Sequence, residues 1–372
     1  MRIAVCTLPG APDDLKVWSG TPAHFMGGLR EVHDDIVTIG PLAPLAYQVL
    51  NKFAGLTGLI HRKVNWEVEP QALRFFTRIM DREIEKVKPD VVIAMGWTPL
   101  DSKAGVPIIY WGDATIAQRV DQSPHWSGLS KRTRRNSRSV EGRTLRDFAA
   151  IMMASKWALD DTATRYQVND AHHAPFGSNI EDPRTKARTS TGSPLALLSV
   201  GVKWGRKGMD RAVETLDTLT ARGVKAHLHV VGVMPPSKAW ERDNVTYHGF
   251  VSKRTSEGRD KLAELYAQAD LFLLPTRNEP YGIVLQEAAA HALPSVASSV
   301  GGVPEVVAHG TTGTLLHEAA TSGEYADAIE RLVASDAYPQ MSRAARARYE
   351  EDFTWRACSA RVVAICRNVL AG

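Results

Sequence analysis

The feature that most constrains this chain is an alternation running its full 372 residues: short apolar, β-branched runs separated by amphipathic stretches. Strand candidates in the first half are Arg2–Thr7, Asp90–Met95, Pro107–Tyr110 and Ala149–Ala154. In the second half they are Ala196–Val200, Ala226–Val231, Val245–Tyr247, Leu271–Leu274 and Ser295–Ala297. Between them apolar residues step by three and four. Leu73, Phe76, Met80, Ile84 and Val87 fall on one helical face, as do Met209, Val213, Leu216 and Leu219. Strands alternating with helices imply parallel sheets covered on both faces, so the pattern predicts doubly wound α/β layers. Asp182–Pro194, rich in Pro, Thr, Ser, Lys and Arg, interrupts the alternation and reads as a linker between two halves of similar size. The stretch from Phe353 to Leu370 reads as a terminal helix carrying Val362, Val363, Cys366 and Leu370.

Charge narrows the partners. Lys and Arg number 45 against 41 Asp and Glu, a net +4. That suits a small anionic substrate and falls short of a nucleic-acid footprint. Cys6, Cys358 and Cys366 form no CxxC pair and read as reduced thiols of a cytoplasmic protein. The apolar run after Met1 breaks at Pro9-Gly10, too short for a signal peptide, and no run of about 18 apolar residues suggests a membrane span.

The most informative segment runs from Leu273 to Ala288. A strand ends near Leu274, a polar loop follows, and a helix opens near Gly282. The amides of Tyr281, Gly282 and Ile283 would sit at the helix start, where unpaired N–H groups and the dipole suit a phosphate. Glu279 precedes the helix and Glu287 lies more than a turn inside it, so one carboxylate reaches a sugar beyond the phosphates and the other a ribose. The alternative is a helix-terminal acid and a solvated one. A second segment, Leu198 to Gly208, leads from a strand into a basic loop with Lys203, Arg206 and Lys207, cations for a diphosphate. Its spacing is not that of a Walker A loop. Two further glycine loops, Val300–Glu305 and Trp18–Pro22, are weak signals alone; the second could present backbone amides across a cleft between the halves.

Together these segments resemble family 4 of the retaining glycosyltransferases. Glu279-Pro280-Tyr281-Gly282 followed by Glu287 is similar to the family's acidic element. Around it, in the family's order, stand Lys207-Gly208, His248-Gly249-Phe250-Val251, Gly301-Gly302-Val303-Pro304-Glu305 and His309-Gly310-Thr311-Thr312-Gly313. Ala154-Ser155-Lys156-Trp157-Ala158 and Pro175-Phe176-Gly177-Ser178-Asn179 extend the resemblance into the first half.

The resemblance implies a GT-B fold: two Rossmann-like domains facing across a cleft, 1–178 on the acceptor side and 179–352 on the nucleotide-sugar side. A terminal helix, 353–372, would pack back on the first. It implies hexosyl transfer from a UDP- or GDP-sugar to a carbohydrate, lipid-linked or small-molecule acceptor, with retention and with neither metal nor cofactor. Lys207 would bind the diphosphate, Glu287 the ribose, and Glu279 the transferred sugar. The backbone of Gly282, Ile283 and Val284, beside Tyr281, would contact sugar and phosphate. Gly249, Phe250 and Val251 would lie by the base, and Gly20 and Thr21 would approach the phosphates from the other domain.

Two positions depart from the pattern. Val202 stands where the family usually has Arg, leaving Arg206 or Lys203 to supply the charge. Gly112 stands where many members have His, leaving Asp113 as the nearest polar group and a catalytic candidate. An inverting mechanism would need a positioned general base, and the sequence offers no clear candidate beyond Asp113 and His125. A non-catalytic nucleotide-sugar-binding subunit, an epimerase or a phosphorylase are the alternatives.

Several features carry a bland and a sharp reading. Arg132, Arg134, Arg135, Arg138, Arg143 and Arg146 read as a solvated helix face, or as a patch for a membrane surface or acidic acceptor. The apolar stretch Leu45 to Phe53, continued by Leu59-Ile60-His61-Arg62-Lys63, reads as a core helix, or as one lying on the inner membrane face beside a lipid-linked acceptor. His227 and His229 share a strand face without an evident third metal ligand. Trp97, Trp111 and Trp126 are core residues or sugar-stacking platforms.

Overall fold

The computed structural model describes residues 1–58, 65–122, 129–168 and 170–372. His125, Trp126 and the stretch Leu59 to Lys63 lie outside them. The chain divides into two compact units, Met1–Phe176 with Trp355–Gly372, and Gly177–Thr354.

The first unit holds a parallel sheet of β1 (Ile3–Cys6), β2 (Ile36–Ile39), β3 (Val91–Met95), β4 (Ile108–Gly112), β5 (Ala150–Met153) and β6 (Ala171–His173), in the order β2-β1-β3-β4-β5-β6. β1, β3, β4 and β5 are buried at every position, as strands covered on both faces must be. One face packs under Phe76, Met80 and Ile84 of the helix Pro70–Val87. The terminal helix Trp355–Ala371 lies against the helix Thr21–Arg30, where the rings of Phe25, Trp111, Phe176 and Trp355 cluster, Phe25 and Trp111 edge to face at 4.8 Å.

The second unit repeats the plan with β7 (Leu195–Val200), β8 (Ala226–Val231), β9 (Val245–Tyr247), β10 (Leu271–Leu274), β11 (Ser295–Ser298) and β12 (Gly313–Leu316), all parallel in the order β12-β11-β10-β7-β8-β9. Its core gathers Leu197, Leu228, Leu271, Leu273 and Val296 from the sheet with Met209, Val213, Leu216 and Ile329 from helices. Strand order reverses between β7 and β10, and in the first unit between β1 and β3. Such reversals open a crevice beyond the carboxyl ends of the strands, where ligands bind.

Asp182–Pro194 is not a free linker. The Arg188 guanidinium donates to the carbonyls of Ala269, Tyr266 and Ala267 at 2.9, 3.0 and 2.9 Å, and to that of His291. Asp182 pairs with Arg346 at 2.7 Å, and the Gly192 amide donates to Asp270 at 3.0 Å. The segment is polar because it serves backbone and carboxylate partners within the second unit.

Candidate functional site

In the second unit, β7 and β10 deliver their following loops side by side. Gly208 closes the first loop at φ 69°, and a Cβ there would lie 1.9 Å from the Pro275 carbonyl oxygen. Only glycine permits that approach. The loops are stitched together: the Arg277 amide and the Thr276 hydroxyl donate to the Arg206 carbonyl at 2.8 and 2.9 Å. Beneath the Glu279-Pro280 turn, the Gly302 amide donates to the Glu279 carbonyl at 3.2 Å. The Val300–Glu305 loop thus supports the acidic turn.

This scaffold brings Lys207, Arg206 and Glu279 together. The Lys207 ammonium binds the Glu279 carboxylate, both side chains being over nine-tenths buried, and Arg206 lies 3.8 Å from the same carboxylate. Burial lowers the Lys207 pKa, with Glu279 pulling against it. Arg206 also donates to the Asn278 carbonyl at 3.0 Å. Lys203 and Val202 are exposed, so Arg206 is the cation standing by this carboxylate. Arg277, by contrast, is held by Asp210 at 2.8 Å.

Gly282 caps the helix Ile283–Ala290 at φ 103°, with no side chain occupying the cap. The Tyr281 hydroxyl is buried and accepts from Gln286 at 2.8 Å. Ile283 and Val284 are half-buried on the first turn. Glu287 is fully buried, not solvated: Lys253 binds one oxygen and the Tyr266 hydroxyl donates to the other at 3.1 Å. Gly249 follows β9, its carbonyl accepting the Gly232 amide at 2.7 Å. Val251 is half-buried and Phe250 stands 72% exposed, a flat face without cover. Lys253 and Tyr266 escaped the sequence reading because nothing in their spacing points at Glu287.

In the first unit a cavity of about 240 Å³ sits at the β1/β3 reversal. Leu8 and Pro9 after β1, and Gly96, Trp97 and Thr98 after β3, line it with Trp18, Tyr47 and Tyr110. Glu67 and Arg119 are its charged groups. Burial raises the Glu67 pKa against the pull of Arg119. Gly20 caps the helix Thr21–Arg30 at φ 85°, and Thr21 is fully buried. Asp113 accepts from Arg119 at 2.8 Å, which engages one of its oxygens. A Cβ at Gly112 would lie 2.3 Å from the Tyr110 hydroxyl. The space beside this glycine is therefore filled by a phenol from two residues earlier on the same strand face.

His227 contacts Thr246 at 2.8 Å, and His229 contacts His248 at 3.1 Å. Among the described residues no group of three or more His, Cys, Asp or Glu is placed to hold a metal. Among them, too, no helix is long and apolar enough to cross a membrane.

Residues 194–335 match the family model described as glycosyl transferases group 1. Glycogen synthase of Mycobacterium tuberculosis is 27% identical over 277 residues, 72% of this chain and 66% of that protein. The match therefore spans just under two thirds of the relative's length. The sucrose-phosphate synthase structure from Thermosynechococcus elongatus superposes with a TM-score of 0.69 at 18% identity, covering 100% of this chain and 99% of that one. The Anabaena Alr3699/HepE structure in complex with UDP and glucose superposes with a TM-score of 0.62 at 15% identity, covering 99% of each chain. Residues 194–335 are thus similar to the group 1 glycosyltransferases, and the whole chain has the GT-B fold.

Proposed function

We propose that the chain transfers a hexose from a UDP- or GDP-sugar to an acceptor with retention at the anomeric carbon, without a metal or other cofactor. The observation that carries this is the meeting of Lys207, Arg206 and Glu279 at the strand-order reversal of the second unit, beside the helix start at Gly282. Two cations and a helix N-terminus suit a diphosphate, and a carboxylate suits sugar hydroxyls. Glu287 would hold the ribose hydroxyls, and Gly249, Phe250 and Val251 would lie by the base. The UDP and glucose held by the Anabaena neighbour favour a uridine donor.

In the reaction the bond from the anomeric carbon to the diphosphate breaks as the acceptor oxygen bonds to that carbon. The acceptor proton passes to the departing diphosphate. Lys207, with Arg206, stabilises the charge that grows there, and needs no protein nucleophile to do so. Before the donor arrives, Glu279 neutralises Lys207. Once phosphate takes Lys207, the carboxylate is left for the sugar, so the two halves of the donor are read together. The acceptor's seat is the first-unit cavity, with Asp113 and the Tyr110 phenol nearby.

A panel of UDP-, GDP- and ADP-sugars tests this by thermal shift. The correct donor at 100 times its Kd stabilises the chain by about 2.7 kcal/mol. Glu287→Ala should weaken that donor's binding by about 2 kcal/mol. No stabilisation by any nucleotide sugar would sink the reading.

A further inference from the structure

The helix Pro44–Gly58 does not behave as the core helix its composition suggests. Tyr47, Leu50 and Ala54 pack inward, with the Tyr47 ring edge to face on Trp66 at 5.0 Å and the Trp66 indole donating to Asn51 at 2.9 Å. The opposite face is also apolar. Leu45, Val49, Phe53 and Leu56 are 77%, 65%, 59% and 64% exposed. At 100° per residue these four fall within an arc of about 80°. One unbroken stripe of large side chains on a single helix is not the scattered exposure normal to a protein surface.

The helix contains Lys52 and neither Asp nor Glu. It packs on the turn Trp66–Val68, and so does the helix Lys131–Asp147. That second helix exposes Lys131, Arg132, Arg134, Arg135 and Arg138 in its first eight residues, without an acid among those eight. Arg132 reaches Glu69 at 3.3 Å. Among the described residues the other four have no ion-pair partner. One turn thus anchors both an apolar stripe and a basic cluster.

We propose that this face of the first unit docks on an anionic lipid bilayer. The stripe Leu45, Val49, Phe53 and Leu56 would enter the boundary between headgroups and acyl chains, with the helix lying in the membrane plane. The arginines would pair with anionic headgroups. Each element alone is a weak anchor; together they combine apolar burial with electrostatic attraction, the combination that holds a peripheral protein. The charge pattern favours a bilayer over a second copy of the chain, because self-association would bring this basic cluster up to its own image. The helix also supplies Tyr47 to the first-unit cavity, so a docked bilayer would lie beside the acceptor's proposed seat. The docking itself does not depend on the donor chemistry.

The test is co-sedimentation of the full chain with vesicles of phosphatidylcholine alone and of phosphatidylcholine mixed with phosphatidylglycerol. The chain should pellet with the mixed vesicles. Val49→Asp with Phe53→Asp should lower that partitioning roughly tenfold or more. Arg135→Glu with Arg138→Glu should lower it several-fold, and added salt should weaken binding of the wild type. All four positions are exposed, so unchanged circular dichroism and an unchanged thermal shift with nucleotide sugar confirm that the variants fold. Two results would overturn the proposal. One is equal pelleting of wild type and the Val49, Phe53 variant. The other is a concentration-dependent dimer that this variant abolishes while vesicle binding is absent.

Discussion

The two units are built on the same plan and use it differently. Each has a six-stranded parallel sheet with one reversal of strand order. At the reversal in the second unit the chemistry is ionic and already paired: Lys207 with Glu279, Lys253 with Glu287. At the reversal in the first unit aromatic and aliphatic walls surround one carboxylate and one guanidinium. Fixed charges suit an invariant ligand such as a diphosphate. A mostly apolar cavity suits a partner whose shape varies. One scaffold thus offers two kinds of site, set by the loops at the strand ends.

The largest expected effect lies on the ionic side. Under the proposed transfer, where Lys207 would stabilise the leaving diphosphate, Lys207→Ala should lower kcat by about 10²–10³-fold, roughly 3–4 kcal/mol. Steady-state kinetics with saturating donor reads this directly, and an unchanged kcat would show that Lys207 does not stabilise the leaving group. A smaller effect is expected on the aromatic side. Trp18→Ala should raise the acceptor KM about tenfold, near 1.4 kcal/mol, and leave the donor Kd unchanged. If donor binding falls instead, the cavity is not a separate acceptor seat.

The smallest effect is one of pH. Burial, with His227, His248 and Lys261 nearby, pushes the His229 pKa down from 6.5 to about 4. Burial and Lys261 also lower His248, with Glu264 opposing them. Between those two pH values the unfolded chain binds more protons than the folded one. His229 therefore costs stability as pH falls through 6.5 toward 4, by about 1 kcal/mol once its partial exposure is discounted. Thermal unfolding of wild type and His229→Asn at about pH 5 and about pH 7.5 should show the wild type losing more. Equal losses would remove the histidines from the acid response.

Legibility in the sequence tracks burial and locality. Most of the central strands were readable because they are largely apolar and buried. The three strands not anticipated, β2, β6 and β12, all lie at sheet edges and are half-exposed, so they carry too few apolar residues to stand out. Glu279 and Glu287 were legible because their loop and helix are contiguous in the chain. Lys253 and Tyr266 were not, being 34 and 21 residues from Glu287 and brought to it only by folding. The Pro44–Gly58 helix misled for another reason: apolar content alone does not tell which face meets protein. Arg188 misled through polarity, since a side chain feeding buried carbonyls looks on paper like a solvated one.

That last residue bears on how the molecule could be dissected. The family match begins at Pro194 and ends at Ser335, and a fragment cut there would discard both Arg188 and Arg346. Four carbonyl oxygens around Tyr266, Ala267, Ala269 and His291 would lose their donor, and that of Ala290 would lose Arg346. The recognisable piece is thus smaller than the compact unit, and an excised second unit would have to start by Gly177 and run on to Thr354.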